Sequence, residues 1–125
     1  MEQVGGKPWE EFLGERPLGV VATNGPGGTP HAVPVEVVVR EGFVYVWCGA
    51  SSAKARNAVR DPRVALVAYK GNDGVLVRGT ARLIAQGEDG YAAITQGFLE
   101  KYNRHEAYGN DTLIQIAPER VTTFS

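Results

Sequence analysis

The chain has 125 residues, 43% apolar and 22% charged, values that suit one domain, residues 1–125, able to hide about two thirds of its unfolded surface. Thirteen basic against 14 acidic residues leave a net charge of −1, which removes the broad electrostatic case for nucleic acid or a membrane as partner. A single cysteine excludes an internal disulfide or a cysteine-built zinc site, and no apolar run approaches about 18 residues. With no leader-like start in "MEQVGGKPWEEF", the expectation is a soluble protein of the reducing cytoplasm.

Residues 7 to 13, "KPWEEFL", place Pro8 at a helix start with Trp9, Phe12 and Leu13 on one face, predicting a short amphipathic helix. "LGVVAT" (18 to 23) and "HAVPVEVVV" (31 to 39) read as strands joined by the turn "NGPGGTP". Pro34 cannot donate to a ladder, so its strand belongs at an edge or carries a bulge. In "FVYVWC" (43 to 48) both faces are apolar, which predicts a strand between two layers or one lining a pocket.

"SSAKARNAV" (51 to 59) opens a helix that Asp61-Pro62 ends. Strands follow at 63 to 69 and 75 to 85, the second with Val75, Val77, Ala81 and Leu83 on one face and Arg78, Thr80 and Arg82 on the other. From 88 to 104, Tyr91, Ile94, Phe98 and Tyr102 form a helical stripe suited to core or interface packing. "TLIQIA" and "RVTTF" close the chain as strand segments split by Pro118. About six hairpin-linked strands without a βαβ rhythm predict a mainly β, antiparallel barrel or sandwich.

The helix at 51 to 60 poses a chemical question. Its first turn holds Ala53, Lys54 and Ala55, with no acid to meet the positive end of the helix dipole. With Ser51 or Ser52 as N-cap, a hydroxyl, the Lys54 ammonium, the Asn57 amide and free backbone N–H groups could converge on a phosphate. A solvated helix end is the competing reading.

The remaining polar residues carry less. His31, in "TPHAVP", could hydrogen-bond a ring carbonyl or be a strand residue without a chemical role. His105 lies in a polar connector, and the two histidines have no metal-ligand spacing, so no metal site is expected. Cys48 lacks a partnering base and reads as a small buried residue. "GPGG" is a hairpin turn and not a phosphate loop, because no GK[ST] follows it. Glu36 interrupts an apolar strand and should face solvent or a dimer seam. Arg78 and Arg82 could meet an acidic substrate or form a solvated face.

Taken together, "LGVVATNGPGGTPHAVPV", "VYVWCGASSAKARNAVRDPRVALV", "VRGTARLI" and "LIQIAPERV" resemble, over nearly the whole chain, the FMN-binding split β-barrel proteins of the pyridoxamine 5′-phosphate oxidase-like family, including its F420 branch. The resemblance implies a six-stranded antiparallel split β-barrel with short flanking helices, and a homodimer that binds FMN or F420 at its interface. It implies that Lys54, with Ser51 or Ser52 and Asn57, holds the cofactor phosphate. The ring would lie along His31, Val33, Pro34 and Val35, facing Trp47 and Cys48. Two departures stand out: Ser52 occupies a position where many relatives carry arginine, and Trp47 one where many carry Ser or Thr.

The leading expectation is therefore a flavin-dependent oxidoreductase passing hydride to or from a small-molecule substrate, with no side chain named as catalytic. The alternative within the fold is an FMN- or haem-binding protein without turnover. A third reading, from another class, is a nucleic-acid barrel stacking bases on Phe43, Tyr45 and Trp47, against which the charge balance counts.

Overall fold

A computed structural model describes residues 2–103 and 109–125; His105 lies outside them. A small ladder pairs β1 (Gln3–Val4) with β2 (Lys7–Pro8). The helix α1 (Trp9–Gly14) starts directly behind Pro8 and buries Trp9, Phe12 and Leu13, the face that the spacing predicts. Glu10 and Glu11 sit at its positive end.

The main sheet holds β3 (Gly19–Asn24), β4 (Pro30–Val35), β5 (Val38–Arg40), β6 (Phe43–Gly49), β7 (Arg63–Lys70), β8 (Asp73–Ala85) and β9 (Asp111–Phe124). Helix α2 (Ala53–Arg60) links β6 to β7, and α3 (Tyr91–Tyr102) follows β8. The strand order is β4-β3-β7-β8-β9-β6-β5, antiparallel at every pairing. The two edges, β4 and β5, are consecutive in the chain and separated only by Glu36 and Val37. The sheet therefore curls until its edges meet, leaving a seam where no ladder joins them. This is a mainly β, split-barrel architecture.

Seven strands form the sheet where six were expected. The predicted strand at 31 to 39 breaks at Glu36–Val37, because there the backbone passes from one edge of the sheet to the other. The end of the chain differs the opposite way. Pro118 does not split it, and β9 runs unbroken. Arg78 faces Arg120 and Gly79 faces Pro118, so Glu119 is an extra residue in a bulge. Beyond Ile116, β9 has lost β6 as a partner, and an edge of this kind tolerates the missing N–H of proline. Gly79 is required: a Cβ there would stand 2.1 Å from the Ala117 carbonyl oxygen.

Alternation in β6 builds two cores. Val44, Val46 and Cys48 point into the barrel with Val21, Leu66, Val77, Ile114 and Ile116. Tyr45 and Trp47 point outward and, with Ile84 and Leu113, are covered by Ile94 and Phe98 of α3. Trp47 and Phe98 are in ring contact at 5.8 Å between centroids, and a fully buried Phe contributes about 3 kcal/mol. The strand thus lies between two layers. It follows that Tyr45 and Trp47 are not available to stack bases, so the nucleic-acid reading loses its platform.

The end of α3 also ties down the seam. The Lys101 ammonium donates to the carbonyl oxygens of Arg16 (2.8 Å) and Val37 (2.7 Å). The Tyr102 hydroxyl accepts from the Val37 N–H at 2.9 Å and lies 2.9 Å from the Pro17 carbonyl oxygen. Burial pushes the Lys101 ammonium down to about 8, Arg16 pushes the same way, and Glu36 opposes them.

Candidate functional site

The Ser52 hydroxyl caps α2 by accepting the Ala55 N–H at 3.4 Å, and the first turn contains no acidic residue. At the other end Asp61 precedes Pro62 and closes the helix. Arg63 grips the Asp61 carboxylate and holds it well below the usual range. The buried face of α2 is pinned to β3 by Asn57, which is 5% exposed. Its amide donates to Thr23 Oγ1 at 3.0 Å, and its Oδ1 accepts from Arg60 at 2.7 Å.

Between the start of α2, the end of β6 and the seam lies a cavity of about 390 Å3. Pro34, Val35 and Glu36 form one wall, Trp47, Cys48 and Gly49 another, and Lys54 reaches in from the helix. Five of the ten residues proposed from sequence thus meet in one place: Pro34, Val35, Trp47, Cys48 and Lys54. Ser51 and Ser52 occupy the turn that connects β6 to α2, Ser51 exposed and Ser52 committed to the cap.

Three candidates lie apart from the cavity wall. His31 pairs with Thr23 toward the start of β4. Val33 packs against the barrel core. Asn57 has both ends of its amide bound within the protein, one by Thr23 and one by Arg60. Spacing alone could not separate an amide that faces a ligand from one that ties a helix to a strand.

Glu36, expected to face solvent or a dimer seam, is half-buried and lines the cavity that Lys54 also borders. The signal for it was present in "PVEVV", where an acid stands between two residues that are both buried, Val35 and Val37. A carboxylate among the lining residues partly offsets the attraction of Lys54 for an anion.

Cavity chemistry follows from these placements. Burial pushes the Cys48 thiol up, against weaker opposing effects of the Ser52 hydrogen bond and the Lys54 charge, with Asp111 adding to the rise. It stays a neutral thiol and not a nucleophile. Trp47 is 9% exposed and its ring is held by Phe98; burial pushes the neighbouring Tyr91 phenol up, with Trp47 acting in the opposite direction. The Trp47 ring borders the cavity without being free to stack across it.

The residues suit a flavin phosphate in part. Lys54 and the positive end of an eight-residue helix supply donors and charge, and β4 is an edge strand with backbone groups outside the ladder.

Pro34 also borders a shallow apolar groove of about 330 Å3, formed with Leu18, Val20, Val67 and Tyr69 on the outer face of the sheet. Leu18 and Tyr69 there are 54% and 67% exposed. Arg82, on the same strand as Arg78, pairs with Glu88 at 3.3 Å in solvent. Among the described residues no helix is long and apolar enough to cross a membrane.

Known proteins agree with this architecture. A structure described as an F420 reductase superposes with a TM-score of 0.74 at 21% identity, covering 90% of this chain and 94% of its own. A conserved hypothetical protein of Mycobacterium tuberculosis gives 0.78 at 23% identity, with 92% and 81% covered. The haem storage protein HutZ of Vibrio cholerae gives 0.80 at 16% identity, with 92% and 91% covered. No curated protein sequence matches. The sequence model of the pyridoxamine 5′-phosphate oxidase family matches residues 7–125, and with the split barrel and its seam cavity already in place, the chain belongs to that family.

Proposed function

We propose that this protein is a cytoplasmic, homodimeric oxidoreductase that binds FMN or F420 in the seam cavity. It would pass hydride to or from a small-molecule substrate. The observation that supports this most is the meeting of Lys54, the start of α2, the β4 edge at Pro34–Val35 and the end of β6 around one cavity. A bound flavin or deazaflavin supplies the hydride chemistry. The chain's own residues do the rest: Lys54 holds the phosphate, the β4 edge orients the ring, and Trp47 and Cys48 close the wall against water. No side chain is assigned as acid or base.

The homodimer rests on the apolar groove. Pro34 lines both groove and cavity, so a second copy seated on the outer face of β3, β4 and β7 would cover Leu18 and Tyr69 and complete the cavity wall. Exposed apolar surface beside a ligand site suits such an interface.

A second reading, an FMN- or haem-binding protein without turnover, draws on Glu36, a carboxylate that lines the same cavity as Lys54 and would weaken its hold on a phosphate. Fluorescence titration of the purified protein with FMN and with F420 tests the site. Lys54→Ala should weaken binding by about tenfold or more, the size of one charge-assisted contact. Unchanged affinity sinks the phosphate assignment. Turnover of bound cofactor by reduced nicotinamide then separates an oxidoreductase from a carrier.

A further inference from the structure

A larger cavity, about 750 Å3, lies elsewhere on the molecule and shares no lining residue with the seam cavity. It is bounded by the β2 and α1 region and by the turn between β7 and β8, and its charged lining residues are Lys7, Glu15, Arg16, Lys70 and Asp73. Lys7 is paired with Glu15. The cations Lys7, Arg16 and Lys70 all act on the Glu15 carboxylate, first through the Lys7 hydrogen bond, and hold it below its ordinary value.

Arg16 is the unusual member. It is only 8% exposed. Its guanidinium carbon lies 4.4 Å from the centre of the Phe12 ring, a contact that offers favourable electrostatics but no hydrogen-bond acceptor. Its Nε is fully buried, and among the described residues nothing accepts from it. The backbone around it is fixed, since the Arg16 carbonyl oxygen accepts from Lys101 and its N–H donates to Leu13 O at 3.0 Å. Arg16 also lines the cavity, and an acceptor that met its guanidinium there would lower the cost of burying this charge.

We propose that this cavity is a second ligand site, for a small molecule bearing a carboxylate, with Arg16 as the forked donor and Lys70 as the second cation. Two features select a carboxylate over a phosphate. The planar fork of arginine matches the two carboxylate oxygens, with Phe12 behind it as an apolar backing. Three cations against two carboxylates leave one positive charge, enough for one negative charge and poorly suited to a phosphate dianion facing Glu15 and Asp73.

The test uses the full chain labelled with 15N and needs no cofactor, so the flavin reading can fail without affecting it. Benzoate is titrated while the arginine Nε–H signals are followed, with inorganic phosphate and chloride at matched ionic strength as separate arms. The expected result is a saturable downfield shift of one arginine Nε–H, together with shifts at the Phe12 and Gly71 amides, for benzoate only. Arg16→Gln should remove that signal and weaken binding by about tenfold or more, and Lys70→Gln, at an exposed position, by severalfold. If Arg16→Gln does not fold, Arg16→Lys replaces it, retaining the charge without the fork and still losing the affinity. No saturable shift in the wild type overturns the proposal. So does benzoate binding that the arginine variant and Lys70→Gln leave unchanged, and phosphate binding as tightly as benzoate overturns the carboxylate assignment.

Discussion

Lys101 makes the stability of this fold depend on alkaline pH in a direction that can be worked out. Its ammonium, ordinarily near 10.5, is pushed down to about 8 by burial and by Arg16, while Glu36 pulls the other way. Between about pH 8 and 10.5 the folded protein has released this proton and the unfolded chain still holds it, so stability rises with pH across that window. At full strength the displacement is worth about 3 kcal/mol, and solvent screening of a partly exposed ammonium trims that to about 2 kcal/mol. Cys48 works against it: burial keeps the folded thiol protonated while the unfolded one ionises, so its contribution falls as pH rises. Comparison with Lys101→Met cancels the cysteine, which both proteins share. Urea denaturation of the two proteins across this range should show the wild type gaining about 2 kcal/mol on the variant between about pH 8 and 10.5, at unchanged m-values. A flat difference would mean that Lys101 is solvated and that its contacts to Arg16 and Val37 do not hold in solution.

Three further substitutions probe the frame of the barrel. Asn57→Ala should cost about 2 kcal/mol in urea denaturation, because it removes the buried amide that joins α2 to Thr23; unchanged stability with lost flavin binding would instead make Asn57 a phosphate ligand. Gly79→Ala should cost about 3 kcal/mol, since its methyl would meet the backbone at Ala117. Gly74→Ala, whose methyl would meet the Phe124 ring, should cost less, because that ring is near the chain end and largely exposed. Equal losses at both glycines would argue against the bulge.

Much of this was legible in the sequence. The two-faced pattern of Phe43 to Cys48 anticipated a strand with a core on either side, and the stripe Ile94–Phe98 anticipated the helix that covers its outer face. Pro34 correctly marked an edge. What resisted reading was set by contacts distant in sequence. The break at Glu36–Val37 depends on where the sheet runs out of partners, and the continuity of β9 through Pro118 depends on Gly79 yielding space 39 positions earlier. At the site, residues fixed by local order, such as Lys54 and Cys48, were placed in one cavity, whereas Asn57 was claimed by Thr23 across the fold. Arg16 carried no signal at all, because its isolation is visible only once Phe12 and Lys70 surround it.

The seam gives the barrel two grades of firmness. β8 is paired with β7 from Asp73 to Thr80 and with β9 from Gly74 to Ala85, whereas β4 and β5 each have one neighbour and a bare side. Amides of the central strands should exchange with solvent only when the whole molecule unfolds, and those along the bare sides through small local openings. Because those openings flank the cavity at Pro34–Glu36, a ligand could enter by parting two edges that the backbone itself keeps within two residues of each other. Breathing there leaves the barrel closed elsewhere, so access and stability can be tuned separately.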